Sequence, residues 1–346
     1  MTAVTAENGE HQSGPLLDRA RGLVDALLRT SVQEMPPRMR LVCGYQLGWW
    51  EADGRARTGA AGKALRPALA LAAARAAGGV GADAVPAAAA VELVHNFSLL
   101  HDDVLDRDET RRHRPTAWKA FGTTDAIMAG DAMSVLAPQV LAHHDHPALA
   151  ESVRRLGVCV AELCEGQHLD CAFEQRVEVS LPECLEMVAG KTGSLLGLSC
   201  ALGALAVGAP AGTVTALDAF GRQLGLAFQL VDDLLGIWGD PAVTGKPVGA
   251  DLQVRKKSLP VVAALAGGTE PARRLRALYT LRRPLNPAEV TRAAELVDQA
   301  GGRAWAEEQA RLYTVSALET LDRALLPGGD GTALRALAAM ITRRKL

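Results

Sequence analysis

The stretch LLHDDVLDRDETRRHRPT, residues 99–116, places five acids, four arginines and two histidines directly after an apolar run. That run, VELVHNFSLL (91–100), is too apolar for an exposed helix. Asp102 and Asp106 are spaced i and i+4, so their carboxylates share one helix face. Like charges on one face repel unless a cation lies between them, and oxygen ligands suit Mg²⁺ completed by substrate phosphates. A solvated acidic helix end is the plain alternative.

A second acid pair, Asp232 and Asp233, lies in FQLVDDLLGIWGD (228–240), again where an apolar helix meets Asp-Asp. Burying carboxylates costs free energy unless they are paired or bound to metal. Two such helices in one chain are less expected by chance than one. A facing pair of them would form a cage for several Mg²⁺ ions.

The composition limits the possible domain organisation, location and partners of the protein. With 346 residues, 49% of them hydrophobic, the chain can bury a large core in one big domain or two ordinary ones. A net charge of −2 recruits neither nucleic acid nor an anionic membrane. The six cysteines form no CxxC pair, and Ala-rich stretches such as 84–94 are shorter than a membrane span. We therefore expect a cytoplasmic protein without a membrane span or a nucleic-acid partner.

Alanine and leucine dominate and aromatic residues make up only 4% of the chain, which favours helices over strands. Residues 1–14 are polar and predicted to be disordered, and 15–346 are predicted to form one all-α domain. Helical periodicity predicts helices at 15–31, 36–46, 63–78, 83–106, 117–121, 124–142, 147–171, 181–206, 211–238, 256–266, 268–281, 287–301, 302–324 and 331–343.

Basic residues recur near glycine and proline. They lie in GKALRP (62–67), at Arg111 and Arg112, in AGKTG (189–193), and in TGKPVGADLQVRKKSLP (244–260). Each could be a solvated charge, except that Lys191 has apolar neighbours and needs an anionic partner if it is buried. Acids that bind Mg²⁺ and bases that bind phosphate, set among apolar helices, describe a site for an apolar molecule with a diphosphate head.

Six short motifs in this chain resemble, in the same order, those of the trans-isoprenyl diphosphate synthase family. They are GKALRP (62–67), DDVLD (102–106) followed by Arg111-Arg112, GQHLD (166–170), Lys191-Thr192, FQLVDD (228–233) and TGKPVGADL (244–252). The similarity is clear over residues 58–262. It implies a single large helical bundle of the isoprenoid synthase type with a central active-site cavity, usually a homodimer.

The resemblance also implies roles. Three Mg²⁺ ions, for which Mn²⁺ can substitute, would bind to Asp102, Asp106 and Asp232. The allylic diphosphate would bind to Arg111, Lys191, Lys246 and Lys256. Isopentenyl diphosphate would bind to Lys63, Arg66, His95 and Arg112. The developing allylic cation would be faced by Thr192 and Gln229, which complete the catalytic set with Lys191. The metal side would be supported by Asp103, Gln167, Asp170 and Asp233.

Product length is expected to follow from the residues five and four positions before Asp102, which are Phe97 and Ser98. At 1.5 Å per residue, position 97 lies about 7.5 Å along the helix axis from Asp102. In the resembling family, bulk here forms the floor of the pocket. One aromatic followed by one small residue resembles one class of geranylgeranyl diphosphate synthases, so geranylgeranyl diphosphate is the predicted product, with farnesyl or longer diphosphates as the alternative.

Two positions depart from the family pattern. Gly236 stands where an aspartate is common, so the second motif lacks the acid four residues after Asp232. His113 stands where glycine is usual after the arginine pair, which bears on the placement of Arg112. A class I terpene cyclase shares the metal-cage logic but would not need Lys63, Arg66 and His95 together. Gly236 also leaves open a non-catalytic partner subunit.

Overall fold

A computed structural model describes residues 4–57, 62–142, 146–241 and 248–342 of the chain, with side chains from Gly14 onward. Its backbone contacts divide the chain into two compact units. The first unit comprises Met1–Ala161, Leu195–Gly221 and Thr320–Leu337, and the second comprises Glu162–Ser194, Arg222–Glu319 and Ala338–Leu346. The prediction of one domain over 15–346 stays a prediction.

The described residues are overwhelmingly helical, which confirms the all-α prediction. The elements before residue 145 are α1 Val4–Gln33, α2 Pro37–Gln46, α3 Leu65–Ala76, a 3₁₀ turn Gly81–Ala84, α4 Val85–Leu105, β1 Thr110–Arg111, β2 Arg114–Pro115, α5 Ala117–Phe121 and α6 Thr123–Ala142. The later elements are α7 Leu149–Gln175, α8 Leu181–Val188, a π-helical turn Ala189–Gly193, α9 Ser194–Leu205, α10 Ala211–Trp238, α11 Ala250–Gln253, α12 Leu259–Ala266, α13 Glu270–Tyr279, α14 Pro287–Gln299, α15 Gly302–Ala324 and α16 Thr332–Thr342.

In the first unit, α4 packs mainly against α6 and also against α3. Helix α4 is buried on more than one side, because the consecutive residues Ala88, Ala89 and Ala90 are all fully buried, as is Leu93. Alanine side chains let helix backbones approach closely, while leucine fills the space between them. This packing holds the apolar part of α4 in place, so the acids at its C-terminal end have a fixed position.

The structure differs from the sequence prediction mainly at element boundaries. Helix α1 begins at Val4, inside the 1–14 segment for which the sequence predicts disorder. The disorder prediction relied on the absence of apolar residues in this segment. An existing helix can nevertheless extend into it, because each added residue gains one backbone hydrogen bond without being buried. The short hairpin of β1 and β2 and the four-residue helix α11 lie in segments predicted to be loops.

One segment, Leu181–Leu205, is long and apolar enough to cross a membrane by length and composition. Of its most apolar 18-residue window, 83% is buried inside the protein. Burial of this kind is what the core helix of a folded protein shows.

Candidate active site

The first aspartate motif, residues 102–106, lies at the C-terminal end of α4. Asp102 is half-buried, Asp106 is exposed, and Asp106 is the C-cap of the helix. The negative end of the helix dipole disfavours carboxylates there, and the last turn carries no lysine or arginine. The motif therefore sits where a bound cation would be stabilising.

Asp103, between these two acids, has a different environment. Its side chain is 1% exposed, and Arg111 Nε donates a hydrogen bond of 2.7 Å to its Oδ1. Burial raises the pKa of Asp103 to about 6, although Arg111 opposes that rise. Asp103 thus anchors Arg111 beside the motif, and its supporting role on the metal side stays a prediction.

Arg111 and Arg114 pair across the β1–β2 hairpin, whose two-residue loop is Arg112-His113. Both loop residues have positive φ, 51° and 61°, as a type I′ turn requires. That conformation costs free energy for residues other than glycine, so His113 is accommodated here with backbone strain.

The turn presents Arg112 to the backbone of Gly62. A Cβ at position 62 would lie 2.6 Å from one terminal nitrogen of Arg112, so a larger residue there would require the Arg112 guanidinium to shift. Arg21 of α1 donates to the Gly62 carbonyl from Nε at 3.1 Å and from a terminal nitrogen at 2.8 Å. The glycine of the GKALRP motif therefore leaves room for the guanidinium of Arg112, and its carbonyl accepts from Arg21.

Three of the four residues predicted to bind isopentenyl diphosphate come together in the first unit. Burial lowers the pKa of His95 well below its usual value, and the nearby charges of Arg66, Arg112 and Arg111 lower it further. Burial also lowers the pKa of Arg66 to about 10, while Glu92 opposes this. His95 is thus a neutral group among arginines, in a region suited to an anion. The fourth residue, Lys63, is exposed, two positions before α3.

Glu92 is a member of this region that the sequence analysis did not single out. Burial raises its pKa, and the charges of Arg66, Arg112 and Arg21 act in the opposite direction. Asn96 Nδ2 donates to its Oε1 at 3.0 Å. The signal was present in the sequence, because Glu92 is the only acid in the apolar run that leads to Asp102.

In the second unit, Lys191 has the anionic partner that the sequence required. Its Nζ donates to Asp170 Oδ2 at 2.6 Å. Lys191 lies in the π-helical turn, a local irregularity that frequently marks functional positions. A Cβ at Gly166 would come within 2.9 Å of the Lys191 Cα, so this glycine lets α7 approach the turn closely. Gln167, the next residue, is buried.

A hydrogen-bond chain connects three further predicted residues of this unit, Thr192, Gln229 and Asp233. Thr192 Oγ1 donates to Gln229 Oε1 at 2.9 Å, and Gln229 Nε2 donates to Asp233 Oδ1 at 2.8 Å. The backbone N–H of Leu259 donates to the other oxygen of Asp233, also at 2.8 Å. Burial raises the pKa of Asp233 to about 7, and its neighbour Asp232 is exposed.

Lys256 lies within the electrostatic reach of four carboxylates. Burial acts to lower its pKa, but the charges of Asp251, Asp233, Asp170 and Asp232 more than compensate and raise it. The predicted partner Lys246 lies outside the described residues. Lys256 therefore stays charged in this acidic region, where Lys191 is already paired with Asp170.

The acidic side chains suit Mg²⁺, which completes its coordination with water and substrate phosphates, better than a metal ion that is bound by protein side chains only. No group of three or more His, Cys, Asp or Glu side chains in the described ranges could hold a metal by itself. Mg²⁺ keeps several waters and is usually bound by one or two carboxylates together with substrate phosphates. Sparse acids near basic side chains match that coordination chemistry.

Comparison with known proteins agrees with the geometry of the site. Residues 51–297 match the Polyprenyl synthetase family. The chain is 46% identical over 334 residues to a (2E,6E)-farnesyl diphosphate synthase of Mycobacterium tuberculosis, covering 96% of this chain and 93% of the relative. It is also 46% identical over 331 residues to a geranylgeranyl diphosphate synthase of the same species, covering 95% and 93%.

A crystal structure of a polyprenyl synthetase from Streptomyces coelicolor A3(2) superposes with a TM-score of 0.91 at 44% identity, covering 94% of this chain and 98% of that one. The all-α fold is accordingly the isoprenoid synthase fold, and the chain has prenyltransferase activity. The protein belongs to the polyprenyl synthetase family, the trans-isoprenyl diphosphate synthases.

Proposed function

We propose that this prenyltransferase condenses isopentenyl diphosphate with dimethylallyl, geranyl or farnesyl diphosphate in a Mg²⁺-dependent reaction that yields geranylgeranyl diphosphate. The supporting observation is that the first unit contains both the accessible acids of the first motif and a basic region around a neutral histidine. Arg66, Arg112 and His95 supply that region in the first unit. The reaction breaks the carbon–oxygen bond of the allylic diphosphate, forms a carbon–carbon bond to the alkene, and releases a proton and diphosphate.

In this proposal Asp102, Asp106 and Asp232 hold the metal ions. These carboxylates would hold Mg²⁺, which would supply the positive charge that neutralises the departing diphosphate. Lys191 and Lys256 bind that diphosphate when it replaces the carboxylates that now face them. An ammonium group can exchange partners in this way because its three donors rotate freely on a flexible stem.

Thr192 and Gln229 complete the catalytic set. Their oxygens are within 2.9 Å of each other, and Asp233 holds the amide of Gln229. The amide orientation is thereby fixed, with its carbonyl oxygen on the threonine side. Oxygen dipoles held in this way would stabilise a passing allylic cation without forming a bond to it.

The proposed product rests on Phe97, which is 5% exposed and followed by the small, buried Ser98. The Phe97 ring meets His101 edge to face, with a centroid distance of 5.7 Å. His101 in turn bonds through Nε2 to the carbonyl of Ile127 on α6, at 3.1 Å. Because His101 is itself held by α6, its contact restricts the Phe97 ring, and we propose that this ring forms the floor of the pocket. Farnesyl diphosphate is the second candidate, because similar relatives carry both product names.

The direct test is incubation of the purified protein with Mg²⁺, isopentenyl diphosphate and each allylic primer in turn, followed by mass analysis of the dephosphorylated alcohols. Geranylgeraniol is expected from all three primers. Farnesol as the final product would reassign the product length, and cyclic hydrocarbon formed without isopentenyl diphosphate would indicate a terpene cyclase. No turnover with any primer would favour a non-catalytic partner subunit.

We further expect a cytoplasmic homodimer. Met128 and Val135 of α6 are 47% and 59% exposed and lie seven residues apart, which places them on one helix face. Light scattering coupled to size exclusion would show a mass near twice 36.3 kDa. A mass of one chain at micromolar concentration would exclude a stable dimer.

A further inference from the structure

Arg21 on α1 contacts the segment that carries two of the predicted isopentenyl diphosphate ligands. Its guanidinium donates twice to the carbonyl oxygen of Gly62, from Nε at 3.1 Å and from one terminal nitrogen at 2.8 Å. Gly62 directly precedes Lys63, and Arg66 follows in the first turn of α3. Arg21 lies 41 positions earlier than Gly62 in the chain, so this contact exists only in the folded protein.

Helix α1 holds Arg21 in this position through contacts away from the Gly62 carbonyl. The apolar face of the helix is buried through Leu17, Val24 and Leu28. Trp49 Nε1 donates to Asp25 Oδ1 at 2.6 Å, and Asp25 follows Arg21 by about one helical turn. The other terminal nitrogen of Arg21 donates to Asp18 at 3.1 Å. These contacts fix both the helix and the guanidinium, so Arg21 can set the position of the Gly62 carbonyl rather than follow it.

The charge of Arg21 also acts on the basic region around His95. Burial raises the pKa of Glu92, and Arg21 is one of three arginines that oppose this rise. Burial lowers the pKa of Arg112, and Arg21 is one of the charges that lower it further. The guanidinium of Arg112 lies beside Gly62, where a Cβ would come 2.6 Å from it. Two arginines from different helices and loops therefore meet the backbone at the same glycine.

Arg21 lies outside residues 51–297, the part of the chain that matches the family. The four predicted isopentenyl diphosphate ligands all lie inside that part. Comparison with the family therefore assigns no role to Arg21, and its contact with the Gly62 carbonyl is what connects it to the site.

We propose that Arg21 is a positioning residue for isopentenyl diphosphate: by holding the Gly62 carbonyl, it fixes the start of the segment that presents Lys63 and Arg66 to the diphosphate. The inference deepens the proposed function and rests on it, since it adds a residue to the same substrate site. Arg21 acts through the backbone and takes no part in bond making. It therefore governs how tightly isopentenyl diphosphate is held, in the ground state and in the transition state alike.

Steady-state kinetics of the full-length protein test this role, with each substrate varied while the other is saturating. Arg21→Ala should raise the KM for isopentenyl diphosphate roughly 10-fold, the effect of losing hydrogen bonds from a charged group. The value of kcat and the KM for the allylic diphosphate should stay within about twofold of the wild type, because only uniform binding of one substrate is lost. An unchanged KM for isopentenyl diphosphate, or a fall in kcat alone, would overturn the proposal.

Arg19→Ala is the matched control, because it removes the same charge from an exposed position of the same helix. It should keep the wild-type KM, and a rise equal to that of Arg21→Ala would assign the effect to the charge of α1 and overturn the proposal. Arg21→Lys keeps the charge but cannot donate from two nitrogens to one carbonyl oxygen. It should still raise the KM several-fold, and a wild-type value would contradict positioning by the guanidinium.

Titration calorimetry of isopentenyl diphosphate, without an allylic substrate, separates this inference from the proposed function. The Kd of Arg21→Ala should exceed that of the wild type by the same factor as the KM. If the wild type binds isopentenyl diphosphate but forms no product, the proposed condensation fails, and the binding comparison still decides the role of Arg21. If the wild type binds and turns over but Arg21→Ala has the same Kd, only the role of Arg21 fails. A wild type that binds no isopentenyl diphosphate would remove the proposed substrate and this inference with it.

Discussion

The acid pairs of the predicted metal site fall into two motifs, which we call the first half (Asp102 and Asp103) and the second half (Asp232 and Asp233), and the two have opposite electrostatic surroundings. Near the first motif, burial lowers the pKa of His95, three arginines lower it further, and the imidazole is neutral. Near the second motif, four aspartates raise the pKa of Lys256 and keep it charged. The first half is thus poised for an anion and the second for a cation. The Asp-Asp motif alone does not predict whether its surroundings in the folded protein will be basic or acidic.

Within each pair the two aspartates have different tasks. Asp102 and Asp232 are accessible, whereas Asp103 and Asp233 are 1% and 3% exposed. The buried members differ in their partners: Asp103 accepts from the Arg111 guanidinium, but Asp233 accepts from an amide and a backbone N–H. We assign metal binding to the accessible acid of each pair, whereas the buried acid fixes neighbouring segments.

The largest expected effect is on turnover. Asp102→Ala and Asp232→Ala should each lower kcat roughly 10³-fold, since a bound metal ion contributes several kcal/mol to stabilising the transition state. Neither change removes a buried group, so the thermal unfolding midpoint should stay nearly unchanged. Steady-state kinetics with calorimetric unfolding would check both statements.

Asp108→Asn, in the exposed loop after α4, is the control for charge at the first motif and should retain near-normal kcat. Normal turnover in Asp102→Ala would remove the metal assignment from the first half. Loss in Asp102→Ala with normal turnover in Asp232→Ala would limit the metal site to that half.

A second prediction concerns product length, which we assign to the first half alone. Phe97→Leu and Phe97→Ala should shift the main product from geranylgeranyl diphosphate to a chain at least one isoprene unit longer, because a smaller side chain at the floor makes the pocket deeper. Mass analysis of the alcohols measures this. Phe220→Ala, a fully buried aromatic of the same compact unit, should lower stability without a shift in product. An identical product profile in both Phe97 variants would contradict the floor.

The third prediction separates the two buried aspartates by stability. Asp233→Ala leaves the buried N–H of Leu259 and the amide of Gln229 without acceptors, so the free energy of unfolding should fall by about 2–3 kcal/mol. Asp103→Ala leaves Arg111, which is about one-third exposed and can reach water, so the loss should be about 1 kcal/mol. Urea unfolding of the metal-free variants measures both losses of stability. Equal losses would mean that the different hydrogen-bond partners of the two aspartates make no difference.

The smallest expected effect is a pH dependence from His95. Its pKa is lowered in the folded protein, while the unfolded chain binds a proton near pH 6.5. The unfolded state therefore binds more protons as pH falls below about 6.5, and stability declines toward the folded pKa. Between pH 6.5 and 5.5 the loss should be about 1 kcal/mol.

His95→Gln should remove this part of the pH dependence. Comparing the urea unfolding of the two proteins at pH 7.5, 6.5 and 5.5 isolates it from the other seven histidines. Parallel curves for wild type and variant would mean that the arginines do not keep His95 neutral.

Much of the fold could be predicted because its determinants are local. Apolar spacing and Gly or Pro boundaries placed α5 at 117–121, α10 at 211–238 and α15 at 302–324 with the bounds later observed. The acid motifs could also be found, since a carboxylate pair at the end of an apolar helix is costly without a partner. The need of Lys191 for an anion followed from the same reasoning, and Asp170 is that anion.

The sequence by itself thus determined the helices, the motifs and the family resemblance, because hydrophobic period and residue chemistry are properties of neighbouring residues. Only the tertiary structure decided which side chain fills a given space. It brought Arg112 onto Gly62, showed Glu92 near three arginines, and put Asp251 where a side chain at Gly236 would be. These close approaches depend on how separate segments of the chain pack. A glycine in the sequence does not show which distant side chain will fill the space beside it in the folded protein.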